Sequence, residues 1–185
     1  MKKVLMGLRF LFVSLLLTSC VTTSTSVKKA FGKDMYTRVN ISYEVGKEKK
    51  VFSTNYHIGK MLPAGTKVRI TKITSKVIYF TVVDTKTEFR LYYLPKYTVV
   101  PMDKYVERMF SANNEILKKG FSKKELAAIK AGKIEIGMSK AAVLVSYGYP
   151  PAHHTPSLLD NSWKYWISRF KTRVVEFKDD KVIKK

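Results

Sequence analysis

The chain has 185 residues, 45% hydrophobic and 26% charged, the composition of a globular protein with room for one medium domain or two small ones. Its 35 Lys and Arg outnumber 14 Asp and Glu for a net charge of +21, so its surface attracts polyanions. A single cysteine excludes an internal disulfide, and beyond the N-terminus no apolar run is long enough to span a bilayer.

The first element is an export signal. Lys2, Lys3 and Arg9 precede the apolar run Phe10 to Leu17, and small residues at Thr18 and Ser19 precede Cys20. The run falls short of the about 20 residues needed to cross a membrane, and a basic flank before a short apolar core marks a cleaved signal. Leu17-Thr18-Ser19-Cys20 resembles the lipobox of bacterial lipoproteins, which implies cleavage after residue 19 and a lipidated Cys20 as the first mature residue. A protein held by two or more acyl chains stays firmly on the membrane. Val21 stands where those lipoproteins carry Asp for inner-membrane retention, so the resemblance implies the periplasmic face of the outer membrane. Without the signal the net charge is +18. Export separates this charge from nucleic acid, leaving an anionic lipid or cell-wall polymer as the polyanion it allows, or lysines that simply keep the protein soluble.

Residues 20–34 read as a lipidated tether rich in Thr and Ser. Residues 35–112 read as a β-rich domain, with strands expected at Tyr36 to Val45, Val51 to Tyr56, Lys67 to Ile73, Val77 to Val83 and Thr87 to Leu94. Ile78, Phe80 and Val82 share one face of their strand, and Phe89, Leu91 and Tyr93 one face of theirs. Short strands at this spacing predict a small antiparallel barrel or curled sheet, and the Asn55 to Thr66 segment resembles an SH3-like barrel element. The tyrosines of this region, Tyr56 and Tyr97 among them, allow a groove for sugar or peptide or serve as half-buried sheet residues. Met102 to Phe110 has helical spacing, and Ser111 to Asn114 reads as a break.

Residues 113–185 carry the clearest local signals. Ser122 and Glu125 form a capping box before a helix from Lys123 to about Ala131, which Gly132 ends. Ser139 caps a second helix that runs to Tyr147, where Gly148 and Pro150-Pro151 stop it. Strands follow at Trp163 to Ile167, Thr172 to Phe177 and Val182 to Lys184, with a turn at Asp179-Asp180. Ile136-Gly137-Met138-Ser139, Gly148-Tyr149-Pro150, Trp163-Lys164-Tyr165-Trp166 and Val175 to Val182 resemble the BamE (SmpA/OmlA) family. The resemblance implies an α+β unit of two helices and a three-stranded antiparallel sheet that binds protein without catalysis. Asp180 departs from the glycine common at its position.

No catalytic motif is present: no Gly-x-Ser-x-Gly, no phosphate-binding glycine loop, no His-Glu-x-x-His. His153-His154 lies in a Pro-flanked loop without further ligands, so neither a metal nor another cofactor is expected. Strand alternation assigns Trp163 and Tyr165 to the core and Trp166 to the opposite face. There Trp166 and Arg169 are the candidate partner-binding residues, unless Trp166 packs on the N-terminal half of its own chain. The expected protein is a lipid-anchored, non-enzymatic binding or scaffold module with an envelope protein partner in outer-membrane assembly or maintenance. The alternative is a cell-wall or glycan-binding lipoprotein module.

Overall fold

The computed structural model describes residues 31–118 and 120–185; the signal, Cys20 and most of the expected tether lie outside them. Among the described residues the fold is α+β, with four helices and three sheets. Among the described residues no helix is long and apolar enough to cross a membrane.

Strands β1 (Asp34–Thr37), β3 (Lys49–Phe52), β5 (Lys67–Ile73), β6 (Val77–Val82), β7 (Glu88–Tyr92) and β8 (Phe110–Ser111) form one sheet in the order β3-β7-β6-β5-β1-β8. The sheet stays open, in contrast to the barrel expected from the sequence, and it is not wholly antiparallel: β3 pairs parallel with β7. The expected alternation is present, with Ile78, Phe80, Val82, Phe89, Leu91 and Tyr93 all buried.

The strand expected from Tyr36 to Val45 is two strands in two sheets. Val39, Asn40 and Ile41 are all buried, unlike a strand with one solvated face, which buries alternate residues; the chain turns there, and β2 (Ile41–Tyr43) pairs with β4 (Lys60–Leu62), a strand the sequence did not predict. Strand β3 ends before Tyr56 because Asn55 takes a left-handed conformation. Folding also starts earlier than residue 35: Gly32 N donates to Ile70 O, and Asp34 is held by Lys67 and Arg69.

Helix α1 (Pro95–Thr98) follows the sheet, and α2 (Met102–Met109) buries Tyr105, Val106 and Met109 in its core. The break expected at Ser111 begins as β8, which pairs with β1 before a 3-10 turn at Ile116–Lys118.

Helix α3 (Lys123–Ala131) has the expected capping box and a left-handed Gly132; α4 (Lys140–Tyr147) has Ser139 as N-cap. β9 (Ser162–Trp166), β10 (Thr172–Lys178) and β11 (Lys181–Lys184) form the antiparallel meander. Asp179 and Asp180 both take positive φ, 49° and 58°, the pair of left-handed residues a tight hairpin turn requires. The hydrophobic residues gather in two clusters, one on the large sheet and one between α3, α4 and the meander, with Ala64 crossing into the second.

The two ends of the helix pair are secured differently. At the N-termini, the buried Glu125 carboxylate accepts from Ser122 N and Oγ through one oxygen and from Ser139 N and Oγ through the other. Burial raises the Glu125 pKa, but these hydrogen bonds outweigh it and pull the group down to about 2. At the C-termini the partners come from the first half of the chain. Asn40 N donates to Val145 O, and its Nδ2 donates to Ser146 O and Ile129 O. Asn55 Nδ2 donates to Tyr147 O and Tyr149 O. A helix leaves its last carbonyls without intrahelical donors; in α4 three of the four are met by the N-terminal half.

Candidate binding surface

Trp166 ends β9 opposite Thr172, at the junction of the two halves. Trp163 and Tyr165 point inward and are wholly buried, as alternation predicts. Trp166 is half-buried on the other face, and its ring lies 6.2 Å from that of Tyr56, 6.2 Å from His153 and 5.6 Å from His154. His153 meets His154 at 4.0 Å and Tyr97 at 4.8 Å. These aromatic rings form one corner drawn from four segments of chain. Trp166 Nε1 is buried without an acceptor among the described residues, although buried donors are normally paired.

His57 fixes the floor of this corner. Its ring stacks on Tyr147 at 3.5 Å, with Nδ1 2.9 Å from Trp166 O and Nε2 2.9 Å from Tyr147 O. A neutral imidazole donates from only one nitrogen, so charging the ring would satisfy both carbonyls. Burial nevertheless lowers its pKa; the two carbonyls oppose this, and Arg173 adds to the lowering. Gly148 closes the approach: a Cβ there would stand 2.8 Å from Asn55 Nδ2, and its φ of 72° suits glycine.

Cations surround the corner. Burial first, then His154, Lys96 and Lys164, lower the His153 pKa. Arg169 is exposed on the β9–β10 turn, where its guanidinium lies over Phe170 at 5.5 Å. The structure therefore places Trp166 and Arg169 on one hairpin but gives them different neighbours. Beside the corner a cleft lined by Asn55, Tyr97, Arg108 and Tyr149 has an interior of about 30 Å3, room for a water molecule or two and not for a substrate. No group of three His, Cys, Asp or Glu side chains gathers in metal-binding range among the described residues.

The sequence pointed to Trp166, and to Tyr56 and Tyr97 only as members of a tyrosine-rich region, but not to His57, Asn55 or Asn40 as site residues. Asn40 carried no signal of its own: a polar residue between Val39 and Ile41 fits the alternation of a strand, and only its burial in the structure departs from that pattern. The partners of Asn55 and His57 lie about 90 to 109 residues away, beyond any local pattern. Comparison with protein-family models, curated proteins and solved structures returns no match.

Proposed function

We propose that this chain is a lipid-anchored, non-enzymatic binding or scaffold protein of the bacterial envelope. Cys20 holds it at the periplasmic face of the outer membrane, and the Trp166 corner engages a protein partner in outer-membrane assembly or maintenance. The observation that carries this reading is the corner itself: Trp, Tyr and His rings meet at the surface with lysine and arginine around them, and Trp, Tyr and Arg dominate protein-binding hot spots. The succession of two helices and a three-stranded meander supports the BamE-like reading of residues 113–185. Trp166 is closed in by Tyr56, His153 and His154, which suits a protein contact more than the open ring face on which a sugar stacks; this favours protein over glycan.

The test is site-specific photo-crosslinking in cells, with the crosslinker in place of His154, of His153 and, as a control at the opposite end of the sheet, of Lys178. A discrete protein adduct from the first two positions and none from the third supports the proposal. Equal adducts from all three, or none, contradict it. Sedimentation with purified cell-wall polymer provides the glycan arm, and retention that is lost in Trp166→Ala would transfer the corner to that alternative.

A further inference from the structure

We infer that the tip of the β9–β10 hairpin is a docking point for an anionic lipid surface, with Phe170 entering the interface and Arg169 and Lys171 meeting phosphate-bearing headgroups. Every residue involved is described, so this docking does not depend on Cys20.

The turn is tight and built. Ile167 N and Ser168 N both donate to Lys171 O, and Lys171 N donates back to Ser168 O, which leaves Arg169 and Phe170 to project. Phe170 is 91% exposed, the most exposed large hydrophobic residue among those described. No core contact explains an aromatic ring held at the apex of a four-residue turn, and an apolar aromatic ring flanked by cations is suited to a membrane interface.

Charge along the sheet is polarised. From Ser162 to Val175 the hairpin carries Lys164, Arg169, Lys171 and Arg173 and no acidic residue. The acids stand at the far end: Glu176 pairs with Ser162, and Asp179 and Asp180 form the distal turn. That end also exposes a large apolar residue, Leu159, at 88%, but beside Asp160. The two ends thus present similar apolar exposure, but at the far end lysines stand among the acids, Lys178 and Lys181 beside the distal turn, Lys140 paired with Asp180 and Lys184 with Glu176; only at the Phe170 end do the cations have no acidic residue of the hairpin beside them, and that end complements an anionic surface. His57 N donates to Ile167 O and so brings the exposed Ile58 alongside. Glu44 is the acid on that flank, lining a small recess with Tyr56 and Ile58 behind the tip.

The experiment uses the chain from residue 20 onward, which keeps every described residue, with Cys20→Ser to remove the anchor. Cosedimentation is measured with phosphatidylglycerol vesicles and with phosphatidylcholine vesicles. Binding to the anionic vesicles alone is expected. Each tip cation contributes roughly fivefold at low salt, so Arg169→Gln with Lys171→Gln weakens binding about 25-fold, and Phe170→Ser weakens it severalfold. Lys123→Gln with Lys124→Gln on α3, and Leu159→Ser, change it far less. All these side chains are exposed, so folding, checked by circular dichroism, is unaffected. Phe170→Trp supplies an exposed indole beside two shielded ones, and brominated acyl chains quench its fluorescence. The proposal is overturned by absent vesicle binding, by equal binding to both vesicle types, by equal losses from the tip and α3 pairs, or by an unquenched indole. A tip that serves a protein partner gives the first of these results.

Discussion

The two ends of the helix pair solve one problem in two ways. At the N-terminal end, Glu125 ties α3 to α4 using only groups of the same unit: Ser122, Ser139 and its own carboxylate. At the C-terminal end, Asn40, Asn55 and His57 cross from the other half to meet the carbonyls that lack intrahelical donors. The first arrangement makes the helix pair self-sufficient, and the second makes its orientation depend on residues about 100 positions earlier. The aromatic corner lies at the dependent end, so its shape reports on the seam between the halves.

The largest effect comes from the core that both ends enclose. Trp163 is 0% exposed and packs on Phe177 at 4.7 Å; Trp163→Ala should cost about 3 to 5 kcal/mol in denaturant unfolding, whichever end is intact. Next is the seam. Asn40→Ala removes three side-chain hydrogen bonds and leaves Ser146 O and Ala64 N buried without these partners, a loss of about 3 kcal/mol. Because Asn40 belongs to one half and its carbonyls to the other, hydrogen exchange should quicken at α4 as well as at β2. Quickening confined to β2 would show that the seam is not coupled.

Glu125 tests the self-sufficient end through pH. Its folded pKa of about 2 lies below the ordinary value of 4.5, so its stabilisation is complete above pH 4.5 and is lost as pH falls from there towards 2. The loss is roughly 3 kcal/mol, and Glu125→Gln should abolish this part of the acid dependence. His57 gives a smaller effect in a separate window. Its pKa is lowered from 6.5 by burial, so the folded state resists protonation: stability is full above pH 6.5 and declines as pH falls below it. Comparing unfolding at pH 7 and pH 5, the decline should shrink in His57→Gln; an unchanged slope would show that His57 carries no charge-linked strain.

The same contrast explains what the sequence disclosed. Ser122, Glu125, Ser139, Gly132 and the Asp179-Asp180 turn act within a few residues of chain, and each stands where its local chemistry predicted. The capping box did not reveal that Glu125 also reaches Ser139, 14 residues on, because that depends on how the helices pack. In the first half, strand β5 matched its pattern, but the parallel pairing of Lys49 with Phe89 and the antiparallel pairing of β8 with β1 join segments whose partners no local period specifies. Trp166 was legible from alternation alone; the histidines and tyrosines around it come from distant segments of the chain.

The central claim is that Trp163 and Trp166 divide structure from recognition, and Trp166→Ala tests it most directly. In the full chain, this variant should keep its thermal unfolding close to that of the unaltered protein while losing the partner adduct formed from a crosslinker at His154. A stability loss as large as that of Trp163→Ala, or an adduct that persists undiminished, would contradict the claim.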